Sequence, residues 1–145
     1  MYKRQDSTFI KTTPTSCLGV WIALEDANEN NGCLLALPGS NNDYPLQDVF
    51  IRNESNTGTE FESTTNERVE WDTDKLIPLE VKKGTLVLIH GEMVHASSPN
   101  QSPNSRHAYV LHLVDLNSEW SSRNWLQRPT NAPFRSFKNV VDQII

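Results

Sequence analysis

Gly84-Thr85-Leu86-Val87-Leu88-Ile89-His90-Gly91-Glu92-Met93-Val94-His95-Ala96-Ser97 is the stretch that decides how this chain folds. Thr85 to His90 is an apolar run rich in β-branched residues, and Met93 to Ala96 is a second short piece of the same kind. Two histidines flank the turn between them. Arg106 follows eleven residues after His95, at the mouth of the segment His107 to Val114. That segment alternates with period two: Ala108, Val110, His112 and Val114 share one face, and His107, Tyr109, Leu111 and Leu113 the other.

Working outward, the remaining apolar segments are also short and strand-like. Cys17 to Leu24 is one, and Cys33 to Leu37 is another, closed by Pro38-Gly39-Ser40. Leu76 to Val81 precedes the turn Lys82-Lys83-Gly84. Residues 41–75 are rich in Asn, Thr, Ser and Glu and show little periodicity. They predict a long polar surface loop, with a short strand around Val69 to Trp71. The tail from Glu119 to Ile145 carries Trp120, Trp125, Pro129, Pro133 and Phe134, and predicts irregular chain held on the sheet by aromatic rings. There is no internal repeat and no long amphipathic helix. The expectation is one all-β domain over 1–145, with about six to eight short strands in a jelly-roll or sandwich.

Composition narrows the function. The net charge is −5 over 145 residues, and no Lys/Arg cluster forms a basic stripe, which gives nucleic acid no electrostatic footing. No apolar run approaches the ~18 residues of a membrane span. Met1 to Asp6 lacks the apolar core of a signal peptide. Cys17 and Cys33 sit inside strand-like runs and are expected to be buried thiols. The sequons at Asn53 and Asn100 carry little weight without a secretory signal. Gln143-Ile144-Ile145 is not the peroxisomal Ser-Lys-Leu address, so a cytoplasmic location is expected.

Singly, the polar candidates are weak. His90 and His95 are five apart with Gly91 between them, which excludes two zinc ligands on one helix face. His90-Gly91-Glu92 imitates the His-x-Glu of zinc deaminases, but the chain lacks the Pro-Cys-x-x-Cys that accompanies it.

In combination they are more specific. Gly84 to Ser97 followed by Arg106-His107-Ala108-Tyr109 resembles the C-terminal signature of the phytanoyl-CoA dioxygenase family. Gly19 to Ala27, Asn31-Gly32-Cys33-Leu34 and Leu37-Pro38-Gly39-Ser40 resemble its central signature. The resemblance runs from Gln5 to about Phe137 and implies a double-stranded β-helix, Fe(II) and 2-oxoglutarate. Such enzymes bind iron by two His and one carboxylate, which leaves one face of the ion open for the 2-oxo acid and O₂. The resemblance puts Asp6 at the carboxylate ligand and His95 at the distal His. It puts Arg106 at the arginine that grips the far carboxylate of 2-oxoglutarate, a task suited to a planar two-donor fork. Ser97 is a second contact, and Trp21 lines the co-substrate pocket or packs in the core. His90 and His112 also match family positions and are expected to act behind the ligands or in the core.

Two departures bear on activity. The family's His-x-Asp reads Arg4-Gln5-Asp6 here, and arginine stays protonated, with no lone pair for a metal. The family's chains run roughly twice this length, and this sequence starts at the metal pair, so a truncated isoform, an alternative start or an incomplete gene model is expected. The expected function is that of an Fe(II)/2-oxoglutarate dioxygenase acting on a small molecule, impaired in this chain. The alternative is an inactive jelly-roll that dimerises or binds a partner through an exposed sheet edge. If the chain proved active, His90 would be the first candidate for the missing ligand.

Overall fold

The computed structural model describes residues 2–137. The apolar strand-like runs become strands, with ends displaced by a residue or two. In chain order these are β1 (Lys3–Arg4), β2 (Thr12–Thr13), β3 (Leu18–Ala23), β4 (Leu34–Ala36), β5 (Asp48–Arg52), β6 (Thr59–Ser63), β7 (Ile77–Leu79), β8 (Leu86–His90), β9 (His95–Ser97), β10 (Ala108–Leu113) and β11 (Glu119–Trp120). One helical turn, α1 (Ser40–Asp43), and three short 3-10 turns complete the described elements.

The strands form a jelly-roll. One sheet has the order β1-β9-β4-β7 and the other β10-β3-β8; β11 with β2 and β5 with β6 make two small pairs. The core joins the two larger sheets: Trp21 and Ala23 of β3 and Ile89 of β8 pack with Leu34 of β4 and with Cys33. β3 is the central strand of its sheet, hydrogen-bonded along both edges. Its Gly19, Trp21 and Ala23 share one face, as period two requires, and pair with His112, Val110 and Ala108 of β10.

The all-β expectation holds, with differences in detail. Eleven strands appear among the described residues instead of six to eight, three of them only two residues long. Residues 41–75 are not a bare loop, because they contain α1, the β5–β6 hairpin and a 3-10 turn at Thr73–Lys75. Val69 to Trp71 is not a strand. Strand pairing and a local aromatic cluster outweigh the polar composition. Phe50 lies opposite Phe61 in the hairpin, and both rings meet Phe9 at centroid distances of 5.7 and 6.1 Å. Val49 and Ile51 turn inward and are buried. The hairpin is anchored to the tail, where Arg52 N–H donates to the Arg123 carbonyl at 2.7 Å.

That anchoring gives a stability prediction. Ile51 is fully buried, so Ile51→Ala is expected to cost about 2–5 kcal/mol through lost transfer energy and a residual cavity. Urea denaturation measures it. A loss below about 1 kcal/mol would return 41–75 to a loosely attached loop.

Candidate active site

The site begins in β1. Arg4 pairs directly with His95 of β9, and Lys3 with Ala96. Directly opposed residues project to the same side of a sheet, with Cβ atoms about 4.5–5.5 Å apart, so Arg4 and His95 face one way. The chain then leaves the strand in a 3-10 turn, Asp6–Thr8. Its neighbours fix Asp6: buried Gln5 donates through Nε2 to the Glu92 carbonyl at 2.8 Å, and Ser7 N–H donates to the Gly91 carbonyl at 2.8 Å.

Gly19 makes room for the Asp6 carboxylate. A Cβ there would stand 3.0 Å from Asp6 Oδ2. Into the same gap comes His112, the β10 partner of Gly19. Its Nε2 is 3.1 Å from Asp6 Oδ2, while His95 Nε2 is 3.3 Å from Oδ1 and Arg4 Nε is 3.5 Å from Oδ1. Burial opposes ionisation of Asp6, but hydrogen bonds from His112 and His95, with their charges, outweigh it and hold the carboxyl well below the usual carboxylate range. Burial, helped by the Asp6 charge, pushes the Cys17 thiol up to about 12. Cys17 and Cys33 are buried and free, as expected.

The other side of the site is built on β3 and β10. Arg106 precedes β10 and lies over the Trp21 ring, its Cζ 5.8 Å from the ring centre; this is cation–π range. Its flanking residues are clasped by one carboxylate, since Ser105 Oγ and His107 N–H both donate to Glu25 at 2.7 Å. Those two bonds hold Glu25 below the usual carboxylate range. Arg106 Nε is buried without a hydrogen-bond partner.

All five residues singled out in the sequence, Asp6, Trp21, His95, Ser97 and Arg106, line one cavity of about 330 Å³. Trp21 packs in the core and also lines this cavity. His90 is exposed and its Nδ1 accepts from the Glu92 N–H at 3.2 Å, away from the cavity. His112, not His90, is therefore the additional imidazole of the site. The alternation at 107–114 puts His112 on a common face with Ala108 and Val110, both of which line the cavity. That periodicity is the only local signal for His112, and it does not say what the face meets. A second cavity of about 580 Å³, walled by Trp120, Trp125 and Phe134, shares His112 with the first.

Residues 3–108 match the family model described as phytanoyl-CoA dioxygenase (PhyH). The chain belongs to the phytanoyl-CoA dioxygenase family. It is 50% identical over 125 residues to phytanoyl-CoA dioxygenase 1 of Oryza sativa subsp. japonica, covering 86% of this chain and 42% of the relative. It is 44% identical over 133 residues to phytanoyl-CoA dioxygenase domain-containing protein 1 of Rattus norvegicus, covering 90% and 45%. The chain thus spans less than half the length of these relatives. Among solved structures it resembles SnoK, a non-heme alpha-ketoglutarate-dependent carbocyclase from nogalamycin biosynthesis, with a TM-score of 0.62 at 21% identity over 82% of this chain and 45% of SnoK. At that identity the likeness establishes the fold.

The phytanoyl-CoA dioxygenase resemblance implies an iron with three protein ligands, and the donor set here does not fit it. No three His, Cys, Asp or Glu side chains among the described residues gather as a metal-holding group. The position facing His95 carries a guanidinium that donates and cannot ligate. Asp6 has both oxygens engaged, one by His112 and the other by His95 and Arg4. His95 also has its Nδ1 3.0 Å from the Met93 carbonyl. That contact leaves Nε2 facing Asp6, and of the three positions the resemblance assigns to the iron, 4, 6 and 95, only the last two carry side chains able to ligate a metal.

Proposed function

We propose that this chain is an impaired member of the Fe(II)/2-oxoglutarate dioxygenases, one that keeps the co-substrate pocket and two iron ligands, Asp6 and His95, and lacks the third. The observation that carries this reading is the convergence of Arg106, Ser97 and Trp21 with Asp6 and His95 on one cavity. Arg106 is the group for the far carboxylate of 2-oxoglutarate, Ser97 adds a hydroxyl contact, and Trp21 forms the floor beneath the guanidinium. The aromatic cavity sharing His112 suits an apolar small-molecule substrate. Arg4 withholds a lone pair and adds a positive charge where a divalent cation would sit.

The test is succinate formation from 2-oxoglutarate, loading Fe(II) without oxygen and then admitting O₂. The unaltered chain is expected to be silent, Arg4→His to gain succinate, and Arg4→His/His95→Ala to lose it again. Full turnover by the unaltered chain would overturn the claim of impairment. A folded Arg4→His protein that neither turns over nor binds 2-oxoglutarate would overturn the site itself.

A second reading, a non-enzymatic binding or dimerisation module, is favoured by the outer face of the β10-β3-β8 sheet. Leu86, Leu88, Tyr109 and Leu111 lie there largely exposed, forming an apolar surface of the kind that seeks a partner. Size-exclusion chromatography tests the dimerising form of this reading, which elutes as a soluble oligomer.

A further inference from the structure

If the co-substrate reading above is right, the same pocket has a further property, which concerns what it takes without iron. Its lining carries two guanidinium groups, Arg4 and Arg106, against one carboxylate, Asp6, in a chain whose net charge is −5. A concave surface with excess positive charge concentrates anions. The two arginines do different work. The residues on either side of Arg106, Ser105 and His107, are held by Glu25, and Arg106 leaves its Nε unpartnered. Arg4 is half-exposed and shares the Asp6 carboxylate with His95 and His112. Arg4 approaches Asp6 through its Nε, which leaves the terminal N–H groups of its guanidinium to donate to a bound anion.

The spacing selects the anion. Asp6 and His112 meet at the level of Gly19, whereas Arg106 lies over Trp21, two residues further along β3. Two strand residues separate these levels by roughly 7 Å. A five-carbon diacid, with C–C bonds of ~1.5 Å, spans about 5 Å between its carboxyl carbons, so one carboxylate reaches each level. Arg106 and Ser97 supply donors at one end, and the Arg4 guanidinium supplies them at the other.

We propose that Arg4 stands in for the cation, so that this pocket binds a small dicarboxylate of 2-oxoglutarate's length without any metal ion, one carboxylate on Arg106 and Ser97 and the other on Arg4. Charge-assisted hydrogen bonds to planar guanidinium forks favour this pairing. A monocarboxylate fills only one end.

Isothermal titration of the full chain in excess EDTA tests it, with 2-oxoglutarate, glutarate and butyrate as ligands. Both diacids are expected to bind, and butyrate at least ten-fold more weakly. Arg4→Gln and Arg106→Gln are each expected to weaken diacid binding at least ten-fold, with thermal melts matching the unaltered chain. Diacid binding that appears only when Ni(II) replaces EDTA would overturn the proposal and leave the metal-dependent co-substrate reading standing. The proposal falls in the same way if Arg4→Gln binds as well as the unaltered chain while Arg106→Gln does not. If no form binds a diacid with or without Ni(II), Arg4→His included, the proposal and the co-substrate reading fall together.

Discussion

Gly91→Ala is expected to cost at least ~3 kcal/mol, at the upper end of what overpacking a core does, and so to unfold much of a domain whose total stability is about 5–15 kcal/mol. A Cβ at this position would run into Ser7 Oγ and lie 2.6 Å from both Cys17 Cβ and the Cys17 carbonyl oxygen. Two of these three atoms belong to backbone or to the root of a side chain and cannot swing aside. The backbone of Gly91 is also committed on both sides: its N–H donates to the Cys17 carbonyl at 2.8 Å and its carbonyl accepts from Ser7 N–H at 2.8 Å. The residue is therefore the joint at which β8, the start of β3 and the Asp6 turn meet, and any displacement moves Asp6. Gly58→Ala is the control, since its nearest neighbour is Asn53 Nδ2 at 3.5 Å; it is expected to stay within ~1 kcal/mol of the unaltered chain. Urea denaturation of the three proteins decides it. Equal midpoints for Gly91→Ala and Gly58→Ala would show that this junction is looser than described.

Arg4→His is expected to raise affinity for a divalent transition metal by at least ~10–100-fold, since changes merely behind the ligands already move affinity by that much. The register makes the substitution favourable: position 4 opposes His95 directly, and Asp6 follows on the turn just beyond. A histidine there would complete two His and one carboxylate on one face of an ion. Two effects contribute, gain of a lone pair and loss of a positive charge, and Arg4→Ala separates them by delivering only the second. Co(II) absorption, titrated without oxygen, reads both affinity and coordination. The expected order is Arg4→His above Arg4→Ala, with the unaltered chain lowest. If Arg4→Ala gains as much as Arg4→His, repulsion by the guanidinium, and not the missing ligand, is what disfavours metal in this chain.

Much of the fold is legible in the sequence, for a reason that also marks the failures. Thr85 to His90 and His107 to Val114 carry β-branched or alternating apolar residues that form strands in almost any context, and their short spacing leaves little choice of class. The β5–β6 hairpin escapes such reading because Thr59-Glu60-Phe61-Glu62-Ser63 offers a single apolar side chain. Phe61 acquires its role only beside Phe50 and Phe9, residues eleven and fifty-two positions away. Val69 to Trp71 fails in the opposite direction: β-prone side chains find no strand to pair with.

The candidate site shows the same division. Asp6, His95, Ser97, Arg106 and Trp21 are assigned by resemblance, and they do surround one cavity. His112 has no local feature that ranks it above His90. The two differ by which face of the β10-β3-β8 sheet they occupy, and a one-residue change of face sends a strand side chain to the opposite side.

Side-chain chemistry and local periodicity are enough to establish that this chain is β-rich and that position 4 cannot ligate a metal, and resemblance adds that its polar candidates fall in one family pattern. All three can be read from the residues without knowing where the chain goes. It took the folded arrangement to show that Arg4 and Arg106 share a cavity, that His112 and not His90 grips Asp6, that Gly19 leaves room for its carboxylate, and that Gly91 lets Ser7 and Cys17 approach. Those facts depend on strand register and close approach between segments dozens of residues apart, which no local pattern encodes.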